Sequence, residues 1–178
     1  MRNTQIESGM RIKLHSRNID PKLRIALSAM TEFALARLLP SKRLRNNLAI
    51  DIHLKHHDNG GEAMLAKGAN RYRPRAFKIV LDHHRMEKDD YNRSREDTEW
   101  GHEVLKTLAH ELVHVKQYVL GDLTWRDRGL TYKGEHYGAE NLLDYFDLPY
   151  EVEAYGRERG LLVAFLVFWN TIEEQFDF

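Results

Sequence analysis

Residues 107 to 120 read TLAHELVHVKQYVL and carry His110, Glu111 and His114 in the order His-Glu-x-x-His. On a helix, residues four apart lie about 40° apart around the axis and one turn along it, so both imidazoles project from one face. The helix itself is predicted by Leu105, Leu108, Leu112, Val115 and Val119, which recur at three- and four-residue steps and leave Lys106, Lys116 and Gln117 on other faces. Gly121 follows as a stop. Two histidines so placed can share one zinc ion, and Glu111, next to the first, can reach a water on that ion and take its proton.

With ten histidines and fifteen glutamates in 178 residues, about 0.05 chance occurrences of this pattern are expected. The bare pattern is therefore weak, and the helical periodicity with apolar Leu112 and Val113 at the x positions gives it weight. A surface helix with two solvated histidines is the bland alternative.

The chain length suits one domain over residues 1–178 with a core of its own. Lys plus Arg and Asp plus Glu both number 27, so the formal net charge is zero and nothing global favours nucleic acid or an anionic membrane as partner. Arg71, Tyr72, Arg73 and Arg75 form a basic patch too short to reverse that expectation. The absence of cysteine excludes disulfides, thiolate zinc ligands and a thiol nucleophile, leaving histidine and carboxylate as the strong zinc ligands. The first residues, MRNTQIESGMRIKLHS, lack an apolar stretch of signal-peptide length, and a cytoplasmic protein is expected.

Upstream of the motif, Arg11 to His15 alternates as a short strand. Asp20-Pro21 opens a helix over Lys22 to Leu39, which Pro40 and Ser41 end. Leu48 to Leu54 alternates as a half-buried strand, and residues 55 to 62, KHHDNGGE, read as a turn-rich loop with solvated His56 and His57. Phe77 to Leu81 is a second strand; Pro74 just before it suggests a sheet edge or a strand start, and Asp82-His83-His84 closes it. Residues 86 to 99 form a charged linker in which Asp97 or Thr98 could cap the motif helix.

Downstream, a Gly- and Tyr-rich stretch with no regular pattern follows Gly121 and is expected to wrap over the metal side. Pro149 then suits the first position of a last helix, whose LLVAFLVFW at 161 to 169 is apolar nearly all round. Nine residues fall short of the roughly twenty that span a bilayer, so this segment is expected in the core or in a contact with a second copy of the chain.

A catalytic zinc site usually has three protein ligands, and His136, Glu151 and Glu153 are the downstream candidates. Two helix positions are about 200° apart, so Glu151 and Glu153 cannot both face the metal. Glu151 shares its face with Ala154, Tyr155, Leu162 and Phe165, whereas Glu153 lines up with Arg157 as an i,i+4 ion pair. Facing favours Glu151, with Glu153 and His136 as alternatives.

HELVH at 110 to 114 followed by PYEVEAYGRERG at 149 to 160 resembles the gluzincin zinc metallopeptidases. The closest likeness is to the small single-domain minigluzincins and to similar phage and bacterial proteins. The resemblance rests on about residues 100 to 160. It implies an α+β, zincin-like fold: an N-terminal helix, a short antiparallel or mixed sheet, the motif helix, and a C-terminal helix bearing a glutamate ligand. In membrane gluzincins the signature Glu-x-x-Ala-Asp places the ligand at its first position, which matches Glu151; thermolysin-like enzymes place Ala directly after the ligand, which points to Glu153. Tyr155 stands where the membrane signature has Asp.

The expected activity is zinc-dependent hydrolysis of a peptide or protein substrate, with Zn2+ on His110, His114 and Glu151 and with Glu111 as general base. A donor for the developing oxyanion is sought among Tyr132, His136, Tyr137 and Tyr155, with His136 and Tyr155 ranked first. The rival expectation is a non-catalytic interaction module that zinc merely stabilises.

Overall fold

The computed structural model describes residues 9–16, 19–57, 60–82, 97–126, 129–137 and 142–176. Asp58-Asn59, His83-His84, the linker through residue 96 and the side chains of Asp97 and Thr98 lie outside them.

Period-two burial sets the sheet. Ile50, Ile52 and Leu54 of β2 (Ala49–Leu54) turn into the core while Ala49, Asp51 and His53 turn away. β1 (Arg11–His15) and β4 (Ala76–Leu81) flank β2 in parallel, and β3 (Gly61–Leu65) runs antiparallel on the outer side of β4, giving the order β1-β2-β4-β3. Phe77, Ile79 and Leu81 continue the buried face. Fully burying such side chains contributes about 1.5–3 kcal/mol each.

Two helices pack on the sheet and on each other. α1 (Pro21–Leu38) starts as Asp20-Pro21 predicts, with Asp20 Oδ1 accepting the Leu23 N–H at 3.0 Å. Ser41 then caps a short α2 (Lys42–Asn46) that the sequence reading did not anticipate. α3 (Asp97–Leu120) carries the motif and buries Val104, Leu108, Leu112, Val115 and Val119. It is followed by a second, antiparallel sheet of β5 (Leu123–Arg126), β6 (Gly129–Tyr132) and β7 (Glu135–His136), where a patternless stretch was expected.

After α4 (Leu142–Phe146), α5 (Pro149–Phe176) packs along α3 and reaches α1. Its apolar stretch is two-sided: Leu161, Leu162 and Phe165 are buried, with Phe33 of α1 edge-on to Phe165, while Val163 and Val167 are exposed. No described helix is long and apolar enough to cross a membrane. Among the described residues the fold is thus α+β, five helices with one mixed and one antiparallel sheet.

The free edge of the main sheet differs from the sequence reading. Pro74 precedes a strand start, one of its two readings, but β4 is an inner strand; the edges are β1 and β3, and β3 begins within the stretch 55 to 62 read as loop. The Gly60-Gly61 turn signal concealed a strand of only five residues.

Candidate metal centre

Pro149 at the head of α5 puts Glu151 in that helix's first turn, and the fully buried Ala154 lets α5 approach α3 closely. His110, His114 and Glu151 thereby converge and are all buried. His110 Nε2 stands 3.1 Å from His114 Nε2 and 3.1 Å from Glu151 Oε2, and His114 Nε2 stands 3.5 Å from the same oxygen. Zinc bonds of about 2.0–2.1 Å in a tetrahedron separate their ligand atoms by about 3.3 Å, so this spacing fits such an ion.

The groups behind the histidines fix which nitrogens face inward. Glu158 Oε2 accepts from His110 Nδ1 at 2.9 Å. The fully buried Gln117 gives its Nε2 to the Tyr150 carbonyl at 2.9 Å and to Glu153 Oε2 at 3.1 Å, so its Oε1 is left to accept from His114 Nδ1 at 2.9 Å. With both Nδ1 atoms carrying protons, both Nε2 lone pairs aim at the shared space beside Glu151. Two such lone pairs 3.1 Å apart repel unless a proton or a metal cation lies between them. The donor set and its backing therefore suit a divalent metal with nitrogen and carboxylate ligands.

The electrostatics point the same way. Burial lowers the affinity of His110 for a proton, but hydrogen bonds to Glu151 and Glu158 and the nearby Glu111 outweigh it and raise its pKa to about 9. Burial likewise works against charge on Glu151, yet the two histidines and Tyr145 pull its pKa down to about 2. The pocket favours a carboxylate facing a positive charge. Glu111, almost wholly buried, has its pKa raised, mainly by desolvation.

Glu111 meets the free sheet edge. On the β4 side the Gly60 carbonyl accepts the Asp82 N–H and the Ala66 N–H donates to the Ala76 carbonyl, so by antiparallel alternation Gly61, Ala63 and Leu65 turn their backbone groups outward. The Ala63 N–H reaches the Glu111 carboxylate. Such closeness requires Gly61, because a Cβ there would lie 2.7 Å from Glu111 Oε1. Buried Asp82 fastens the turn into β3, accepting the His57 backbone N–H at 3.0 Å and pairing with His56 Nδ1 at 3.0 Å.

Other candidates lie elsewhere. Glu153 points away from the histidines and bonds to Lys116 at 2.8 Å, Gln117, Tyr132 at 3.1 Å and Arg157 at 3.2 Å, tying β6 to both long helices. This is more than the surface pair expected of it. His136 is exposed on β7 and donates to the Leu130 carbonyl, so it is not brought to the histidine pair. Tyr137 is bonded to Glu135. Tyr155 packs edge-on to His110 at 4.5 Å between ring centroids.

No protein-family model, curated protein or solved structure matches this chain. Its site must be read from its own geometry. Three residues in that geometry were not singled out in sequence: Tyr145, whose hydroxyl bonds to Glu151, and the backing groups Glu158 and Gln117. Glu158 had one available signal, since seven positions beyond Glu151 returns to the same helix face.

Proposed function

We propose that this chain is a zinc-dependent peptidase, with His110, His114 and Glu151 holding the metal and Glu111 acting as general base. The observation that carries this reading is the placing of Glu111 between a three-ligand cluster and an outward-facing strand edge. A structural zinc site needs no base beside it and no free backbone facing it. The third ligand's origin in the first turn of a downstream helix supports the gluzincin resemblance as well.

Bound zinc would polarise the attacking water and the scissile carbonyl. β3 receives the substrate backbone as an added strand through the groups of Gly61 and Leu65 that face away from β4, the Ala63 N–H being held by Glu111. Glu111 takes the proton of the attacking water and passes it to the leaving amine; burial raises its pKa and with it its affinity for that proton. Tyr145 is the best-placed donor to the developing oxyanion, because its hydroxyl already lies on Glu151 and burial, with that carboxylate, keeps it protonated.

The test is hydrolysis of an unfolded protein or a mixed peptide pool by zinc-loaded wild type and by Glu111→Gln. The variant should bind one zinc and lose about 10²–10⁴-fold in turnover. Full turnover by the variant would remove the base. A zinc-loaded wild type that releases no peptide would favour the stabilised interaction module.

A further inference from the structure

β3 runs along α3 from Glu111 toward that helix's C-terminal end. A Cβ on Gly61 would meet Thr107 and Glu111, whereas Leu65 at the other end pairs with Phe77, whose ring lies 6.2 Å from that of Tyr118. The chain then turns back into β4 through residues 67 to 75, and this loop is tied down. Asn70 Oδ1 accepts the N–H groups of Tyr72 and Arg73 at 2.8 and 3.0 Å, Pro74 is buried, and the Arg75 guanidinium donates to the Pro74 and Val119 carbonyls at 2.7 and 3.5 Å. It is also strongly basic. Between Glu62 and Asp82 the chain carries Lys67, Arg71, Arg73, Arg75 and Lys78 and no acidic residue, although acids and bases balance over the whole sequence. Among the described residues, Lys67, Arg71 and Arg73 are exposed and their charged ends have no partner. Like charges so close repel one another, and a bound anion would offset that repulsion.

We infer that this loop is a docking site for an acidic segment of the peptide strand added to β3, taking its Asp or Glu side chains on one side of the point nearest Glu111. This rests on the reading of β3 as the edge that receives the substrate. Connectivity sets the spacing: residues of a strand advance about 3.3 Å each and Ala63, whose N–H reaches Glu111, stands four positions before Lys67, so the acidic side chains fall about four to seven residues from the cut. The preference is one-sided because only one end of β3 leads into the loop. Arg71 and Arg73 carry most of the contact, since a guanidinium binds a carboxylate through two parallel hydrogen bonds. A nucleic acid is the rival anion, with Tyr72, 78% exposed, as a stacking ring. The peptide fits better: three unpartnered cations are few for a phosphate backbone, the chain is neutral overall, and the loop continues a strand edge with which only a polypeptide can pair.

The preference can be read by binding, independently of cleavage. Labelled peptides sharing one apolar centre carry a short block of Glu or of Gln, placed N-terminal or C-terminal to it. In zinc-loaded Glu111→Gln protein the Glu block should tighten binding about tenfold on one side only, and the gain should shrink as salt is raised to about 0.5 M. Adding Arg71→Gln and Arg73→Gln should abolish the gain while zinc stays at one equivalent and the Gln-block peptides bind as before. Adding Arg11→Gln and Lys13→Gln instead, which removes the same charge from β1 at the opposite edge of the sheet, should leave the gain intact. In wild type, moving the Glu block along the peptide should move the cut with it. No gain from the Glu block, an equal gain on both sides, or an equal loss in the β1 variant overturns the docking site. A single-stranded oligonucleotide that binds tighter than the Glu peptide and loses its affinity in Tyr72→Ala makes the loop a nucleic-acid contact and overturns it too. The peptidase reading fails separately: one-sided, arginine-dependent binding without cleavage keeps the docking site and removes the reaction, whereas cleavage without charge preference does the reverse.

Discussion

Glu158 Oε2 lies 2.9 Å from Nδ1 of His110, on the same helix as Glu151 and about two turns beyond it. A carboxylate behind a ligating histidine fixes the ring's tautomer and raises the basicity of its other nitrogen. Tyr155, four residues after Glu151, packs on His110 by its ring instead. His110 is thus backed by a carboxylate from position 158, with the Tyr155 ring beside it. Glu158→Ala should weaken zinc binding about 10–100-fold, and Glu158→Gln, which retains an acceptor oxygen, should lose less. Competition with a chromophoric chelator measures both, and an unchanged affinity in Glu158→Ala would refute the role.

Gly61 is the point at which the strand edge touches the base. A Cβ there would stand 2.7 Å from both Glu111 Oε1 and Thr107 Cγ2, so Gly61→Ala must displace β3 or turn Glu111. Zinc should stay bound while kcat/KM falls about 10²-fold, the cost of moving a reacting group by roughly 1 Å. Gly101→Ala is the control: nothing lies within 4 Å of a Cβ there, and the change within α3 should add about 0.5–1 kcal/mol of stability. Equal activity in the two variants would remove Gly61 from the argument.

Glu151 and Glu153 should separate cleanly in metal content. Glu151→Gln is expected to lose its equivalent of zinc, whereas Glu153→Gln should keep it and be less stable by about 1–3 kcal/mol through weakened bonds to Lys116, Gln117 and Tyr132. Metal analysis and urea unfolding of both proteins decide this. Zinc loss in Glu153→Gln alone would exchange their roles.

Glu153 also predicts an acid limb of stability. Burial pushes its pKa up, but bonds from Lys116 and Gln117 and the Lys116 charge bring it down to about 2, against an ordinary value of 4.5. A depressed carboxyl contributes its stability above the unfolded value and loses it as pH falls through the folded one. In metal-free protein, the advantage of wild type over Glu153→Gln should be constant above pH 4.5 and shrink between there and about 2. An advantage that persists unchanged to the lowest pH would show that the carboxylate charge plays no part.

Much of this was legible in the residues. The Leu and Val spacing around His110 and His114, the Asp20-Pro21 cap and the alternation in β2 are short-range patterns, and each element formed where its pattern lies. The five-residue β3 was hidden because Gly60-Gly61 carries a turn signal and because an edge strand owes its existence to the partner it pairs with. The hairpins after Gly121 were missed for the same reason, since Thr124 and Thr131 gain meaning only when paired across strands, with their hydroxyls 2.8 Å apart.

The sequence by itself determined that the two histidines share one helix face, because four-residue spacing fixes direction whatever surrounds it. It also determined that Glu151 and Glu153 point to opposite sides of α5. Only the tertiary structure decided which side meets the histidines, that Glu158 and Gln117 stand behind them, and that Glu111 opens onto a strand edge. Those relationships join residues 41 and 48 positions apart, or a helix to a strand, and depend on how α5 and β3 pack against α3. Local periodicity sets where a side chain points, but the burial of whole faces sets what it meets.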